Sequence, residues 1–174
     1  MNRVLYHTQE HRKVELTKPI ICFRDDAWLG EAYYFWYDIH DAQRWGETSK
    51  RKTGKYEIYT SDTNCEKILD TVFNEEHYLF WVKQVEKVAK KIIKKTGYKP
   101  TLKEINDYFK ENGQWNELDG IMFQDLSNNF NFLLVKPIEY RTKSRPFVYK
   151  KRIQIAIYNL DIIVNFALHK INDC

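Results

Sequence analysis

Apolar positions return along this chain with two different periods, and the change of period divides it into three stretches. Over residues 74–97, Tyr78, Trp81, Val82, Val85, Val88, Ala89 and Ile92 recur at the spacing of one helix face. Asn74 stands where a cap accepts backbone N–H groups, and Glu75 and Glu76 suit the positive end of the helix dipole. Gly97 supplies the left-handed stop. Just beyond, Thr101-Leu102-Lys103-Glu104 has the spacing of a capping box. Ile105, Tyr108 and Phe109 give this second helix its apolar face, and Asn112-Gly113 ends it.

Outside this central block the period shortens toward two. Residues 55–60, 120–124, 132–135 and 151–158 are short β-branched or aromatic runs bounded by Asn, Asp, Gly or Pro, which predicts strands. Near the start, alternation in Val4-Leu5-Tyr6-His7 puts Val4 and Tyr6 on one face of a strand and Leu5 and His7 on the other. Residues 38–45 predict a short helix that turns Ile39, Ala42 and Trp45 inward. Strands at both ends with a helical insert between them define an α+β domain. No internal repeat, heptad series, low-complexity tract or Pro/Gly-rich linker interrupts the chain, so residues 1–174 are expected to form one domain.

Composition narrows the function classes. Apolar residues make up 43% and charged residues 30%, which excludes a disordered chain. No apolar run is long enough for a membrane span, and the start lacks a basic-then-apolar leader, so the expected address is the cytoplasm with no membrane partner. Cys22, Cys65 and Cys174 show no CxxC spacing, and the histidines form no ligand pair on a helix, so neither a disulfide framework nor a metal is expected. A net charge of +4 permits an anionic ligand without demanding nucleic acid.

Three separated segments carry candidate chemistry. The first is Val4-Leu5-Tyr6-His7, with the histidine at the strand's end. The second is Gly30-Glu31-Ala32-Tyr33-Tyr34-Phe35, followed by Asp41-Ala42-Gln43-Arg44-Trp45. The third is Arg152-Ile153-Gln154-Ile155-Ala156-Ile157-Tyr158. Their order and local pattern resemble the three signature strands of the ADP-ribosyltransferase fold, in the branch of poly-ADP-ribose polymerases and diphtheria toxin. The resemblance implies a single ADP-ribosyltransferase-like domain that uses NAD as substrate. It implies that His7 bonds the adenosine ribose and that Tyr34 stacks on nicotinamide, with Ala42 as the small residue packed against the strand. Thr8 stands where the family has a glycine whose backbone binds the nicotinamide amide. Gln154 stands in the place of the catalytic glutamate. An amide can hold the ribose hydroxyl but brings no charge to the cationic sugar that develops as nicotinamide leaves. Chain elongation is therefore not expected. The resemblance leaves mono-ADP-ribosyl transfer to a protein or nucleic-acid acceptor, slow NAD hydrolysis, or a silent NAD-binding module, and it suggests a toxin-like role in microbial conflict.

Other residues have weaker patterns behind them. Arg24 suits a pyrophosphate, although Asp25 and Asp26 beside it suit neutralisation better. Asp125 and Glu139 are carboxylates that would replace the missing glutamate's charge. Tyr33 points away from Tyr34, toward a core. Lys90, Lys91, Lys94 and Lys95 read as a solvated helix face. If they met the basic loop at 49–55 in space, the two would form a nucleic-acid patch, which suits a nucleic-acid-modifying transferase or a plain nucleic-acid-binding protein; a protein-interaction module is the other alternative to the enzyme.

Overall fold

Capping residues set the helix ends. The computed structural model describes residues 1–50, 52–125 and 151–174. In it, α1 (Ile39–Ser49) starts at Asp38, whose carboxylate accepts from the His40 N–H at 2.7 Å. α2 (Glu75–Thr96) starts at Asn74, whose side chain accepts from the His77 N–H at 3.1 Å, and stops at Gly97 with φ 78°. α3 (Leu102–Glu111) has both bonds of its capping box: Thr101 N–H donates to Glu104 at 2.6 Å, and Glu104 N–H donates to Thr101 Oγ1 at 3.2 Å.

Among the described residues, seven strands form one sheet: β1 (Asn2–Glu10), β2 (Tyr33–Trp36), β3 (Lys55–Asn64), β4 (Ile68–Asp70), β5 (Gly120–Gln124), β6 (Ile153–Ile157) and β7 (Ile163–Asp173). Their order across the sheet is β4-β5-β6-β2-β1-β3-β7, antiparallel throughout except for the β4–β5 pair. The architecture is α+β, with α2 and α3 inserted between β4 and β5. No described helix is long and apolar enough to cross a membrane.

Several elements differ from the sequence expectation. β7 was not expected, because register shifts against β3 and the left-handed Asn165 (φ 54°) break its alternation. β4 is too short to show a period. α1 runs a turn past Trp45, through Gly46, where an added Cβ would lie 2.2 Å from the Tyr56 ring. The helix is packed onto β3 at a distance only glycine allows, and Ala42, rather than Ile39, is its buried apolar residue. On α2 only Val88 is buried, with Trp81, Val85, Ala89 and Ile92 packed partly behind it, while Tyr78 faces solvent. The predicted strand at 132–135 and Glu139 lie outside the described residues, as does Arg51 of the basic loop.

The alternation expected in β1 and β2 holds and sorts two cores. Tyr34 and Ala156 share one face with Leu29, Phe109, Ile121 and Phe123, under α2 and α3. Tyr33, Leu5 and Phe35 share the other with Met122, Ile155 and Ile157. A third cluster, Trp36, Ala42, Tyr56 and Ile58, lies under α1.

Two features of β1 position the site. Its pairing with β2 has a single register position, Tyr6 with Trp36, although β1 continues beside β3 as far as Glu10. Loop 11–21 then crosses the sheet and is held by buried side chains. Arg12 N–H donates to Glu57 at 3.1 Å, Leu16 N–H to the Tyr59 hydroxyl at 3.1 Å, and Ile20 N–H to His7 Nε2 at 3.2 Å. His11 Nδ1 and the Tyr59 hydroxyl complete the Glu57 carboxylate at 2.7 and 2.6 Å. These contacts make a polar seam between the loop and the sheet.

Candidate functional site

Where β1 and β2 part, a cleft of about 400 Å³ opens, and His7, Thr8, Arg24, Tyr34 and Gln154 all line it. They come from both ends of the chain and from the segment before β2, and the sheet order β6-β2-β1 makes them neighbours.

His7 fills the gap between the parted strands. Its Nδ1–H donates to the Tyr34 carbonyl at 2.9 Å, in place of a strand-to-strand backbone bond. Nε2 accepts from Ile20 N–H, and the Gln9 amide also reaches it at 2.9 Å. These partners fix the proton on Nδ1. Burial pushes the His7 pKa down to about 4, so the ring is neutral at pH 7. Both ring nitrogens are thus engaged, and a ligand hydroxyl meets His7 only by displacing the Gln9 amide. Thr8 is also occupied, donating its hydroxyl to the Ala42 carbonyl at 2.9 Å, which ties β1 to α1.

Tyr34 stands on the cleft face of β2. Its hydroxyl donates to the Gly30 carbonyl at 2.9 Å and accepts from Leu29 N–H at 3.2 Å, leaving its ring edge-on to Phe123 at 6.5 Å. Gly30 permits this turn: its φ is 72°, and an added Cβ would stand 2.6 Å from an Asp107 oxygen. Burial pushes the Tyr34 pKa up, so the phenol stays protonated.

Gln154 lies on β6 between Trp36 of β2 and Phe123 of β5 in register. Among the described residues no hydrogen bond engages its amide. Two positions earlier on the same side of the chain, Arg152 enters the cleft, paired with Asp125 and stacked 5.1 Å above the Trp36 ring. Its Nε–H is buried with no partner among the described residues. Asp125 therefore does reach the cleft, with its charge matched by a guanidinium. Arg24 is likewise held by Asp26, at 2.8 and 2.6 Å, on the exposed rim. Lys50, at the end of α1, lines the opposite wall with no ion pair among the described residues. Burial pushes its pKa down; Glu10 offsets this in part, and Arg24 and Lys52 add to it.

The pattern of two would have found two of the residues missed from sequence. Trp36 follows Tyr34 at the next same-face position, and Arg152 precedes Gln154 by the same step. Trp45, Phe123 and Lys50 carry no such signal, because only the tertiary fold brings them in. Lys90, Lys91, Lys94 and Lys95 are exposed on α2, apart from the cleft lining. Among the described residues the cleft thus offers flat aromatic walls, an unpartnered Arg152 Nε–H, the Lys50 ammonium and an unengaged Gln154 amide, which suits an anion carrying planar rings. Compared with family models, curated proteins and solved structures, the chain matches none.

Proposed function

We propose that this chain is an ADP-ribosyltransferase-like protein that binds NAD in the cleft and transfers ADP-ribose to a macromolecular acceptor. The observation that carries the reading is convergence: three segments chosen for their order and pattern meet at one opening, with Tyr34 and Gln154 on its floor. The dinucleotide supplies the reactive bond: the C1′–nicotinamide bond breaks with its electron pair leaving on nicotinamide, and an acceptor lone pair closes on C1′ as its proton passes to water. The chain's own residues orient and shield. Tyr34 and Phe123 give an aromatic wall for nicotinamide, and the Gln154 amide holds a ribose hydroxyl. Arg152 Nε–H and Lys50 face the pyrophosphate.

A second reading, a module that binds NAD without turnover, is favoured by one observation. The carboxylates Asp125 and Asp26 at the cleft are both tied to arginines, so among the described residues no free negative charge faces the developing sugar cation. Nicotinamide release from NAD by the purified protein, read beside the NAD-induced rise in melting temperature, tests both. Release with a rise supports the transferase, and a rise without release supports the silent module. Absence of both overturns the NAD reading.

A further inference from the structure

The rim of the cleft is more aromatic than its interior requires. Tyr34, Trp36, Trp45 and Phe123 already wall the inside, enough flat surface for the rings of a dinucleotide. Outside them, the short segment that carries Arg24 adds Phe23, 68% exposed, and Trp28, 47% exposed. Phe23 meets no other ring among the described residues, and Trp28 meets only Phe123, at 6.5 Å. Across the opening, the turn after α1 carries Lys50 and Lys52. The acids facing them are Glu10, bound by Thr53 N–H and Oγ1 at 2.7 and 2.9 Å, and Asp26, bound by Arg24. Asp26 is neutralised by Arg24 and Glu10 is turned onto Thr53, so among the described residues neither Lys50 nor Lys52 is in an ion pair.

Resting on the reading above, we infer that this mouth takes a single-stranded nucleic acid, with a base stacked on Phe23 and Trp28 and its phosphates on Lys50 and Lys52. Exposed rings beside cations match that polymer on both counts. Every base offers a face to stack, and each phosphate displaces counterions from a lysine. A peptide acceptor would leave the two rings without a matching surface unless it were itself aromatic. The basic loop of the sequence thus serves the cleft, not the lysines of α2.

The test uses the full chain and a fluorescein-labelled single-stranded DNA of about twelve nucleotides, read by anisotropy with and without NAD. The wild type is expected to bind it, more weakly as salt rises. The double variant Phe23→Ala/Trp28→Ala should weaken binding about tenfold or more, the scale of a lost stacked base. Lys52→Gln, outside the lining of the cleft, should lower the slope of log affinity against log salt by about 0.7. Melting temperatures of both variants, and their NAD-induced shifts, should match the wild type. The inference is overturned if the oligonucleotide does not bind, or if the double variant binds it equally well. A parallel loss of the NAD shift also overturns it, since the rings would then belong to the dinucleotide. Ring-dependent DNA binding in a protein that ignores NAD would sustain this site while removing the transferase reading. An NAD shift without DNA binding would do the reverse.

Discussion

In the seam where loop 11–21 crosses the sheet, each buried polar side chain meets a donor or acceptor. Glu57 takes His11, Arg12 N–H and the Tyr59 hydroxyl, Tyr59 takes Leu16 N–H, and His7 takes Ile20 N–H. A few residues away, the cleft keeps Arg152 Nε–H buried without a partner and leaves Lys50 unpaired and the Gln154 amide free among the described residues. Both regions are polar and both touch His7, yet one is satisfied and the other is not. A satisfied buried group contributes to holding the fold, whereas an unsatisfied one costs free energy that a ligand can recover. The difference separates residues that maintain the structure from those available for chemistry, and it moves His7 toward the first group.

The comparison breaks most visibly at Glu57. Glu57→Ala should cost about 3–5 kcal/mol in urea unfolding, because it leaves the buried Tyr59 hydroxyl without its acceptor and releases the Arg12 N–H and His11 that pin the loop. Gln154→Ala should change stability by less than about 0.5 kcal/mol. Equal costs at the two sites would erase the distinction.

Acid provides the next test. The folded His7 pKa of about 4 lies below the ordinary 6.5, so the unfolded chain takes up a proton first as pH falls. His7 therefore withdraws stability progressively from about pH 6.5 down to 4, roughly 3 kcal/mol in all. Glu57, held below its usual range despite burial by the Tyr59, Arg12 and His11 bonds, acts in the same direction: its contribution, present at neutral pH, is lost as acid protonates it. Urea midpoints across this range should fall for the wild type and flatten in His7→Phe, measured relative to that variant's own value at pH 7.

Gln154→Glu sharpens the cleft side. Adding charge beneath the sugar should raise nicotinamide release about tenfold, near 1.4 kcal/mol of transition-state stabilisation, with the NAD-induced melting shift little changed. An unchanged rate would favour the silent module. A smaller loss than those at Glu57 and His7 belongs to Tyr34→Phe, which removes the bonds to Gly30 and Leu29 while keeping the ring. About 1 kcal/mol of stability should go and NAD affinity stay.

How much of this was legible in the sequence depends on the range of the interaction. Caps and helix periods are local, and Asn74, Gly97 and the Thr101–Glu104 box all fall at the ends of α2 and α3. Faces of β1 and β2 followed from alternation, and the fold brings Tyr34 and Gln154 to the same cleft. What escaped was non-local. The bulged β7 hides its period, and the double engagement of His7 depends on a loop that returns to it from residue 20. Nothing in the residues around Asp125 announces its pairing with Arg152, twenty-seven positions away.

The contact at Gly46 constrains how the site can adapt. With the Tyr56 ring occupying the volume of the missing side chain, α1 can neither slide nor tilt against β3 without a collision. Trp45 and Lys50 ride on that helix and its end, so their wall is the fixed jaw of a vice. The opposite jaw, residues 22–28, is held by the Cys22–Ala32 bridge just before β2 and closed by the Ala27 N–H to Arg24 carbonyl turn. Any difference in gape between ligands of unequal thickness is taken up there, and a cross-link between the jaws would show it as a loss of breadth in what the cleft accepts.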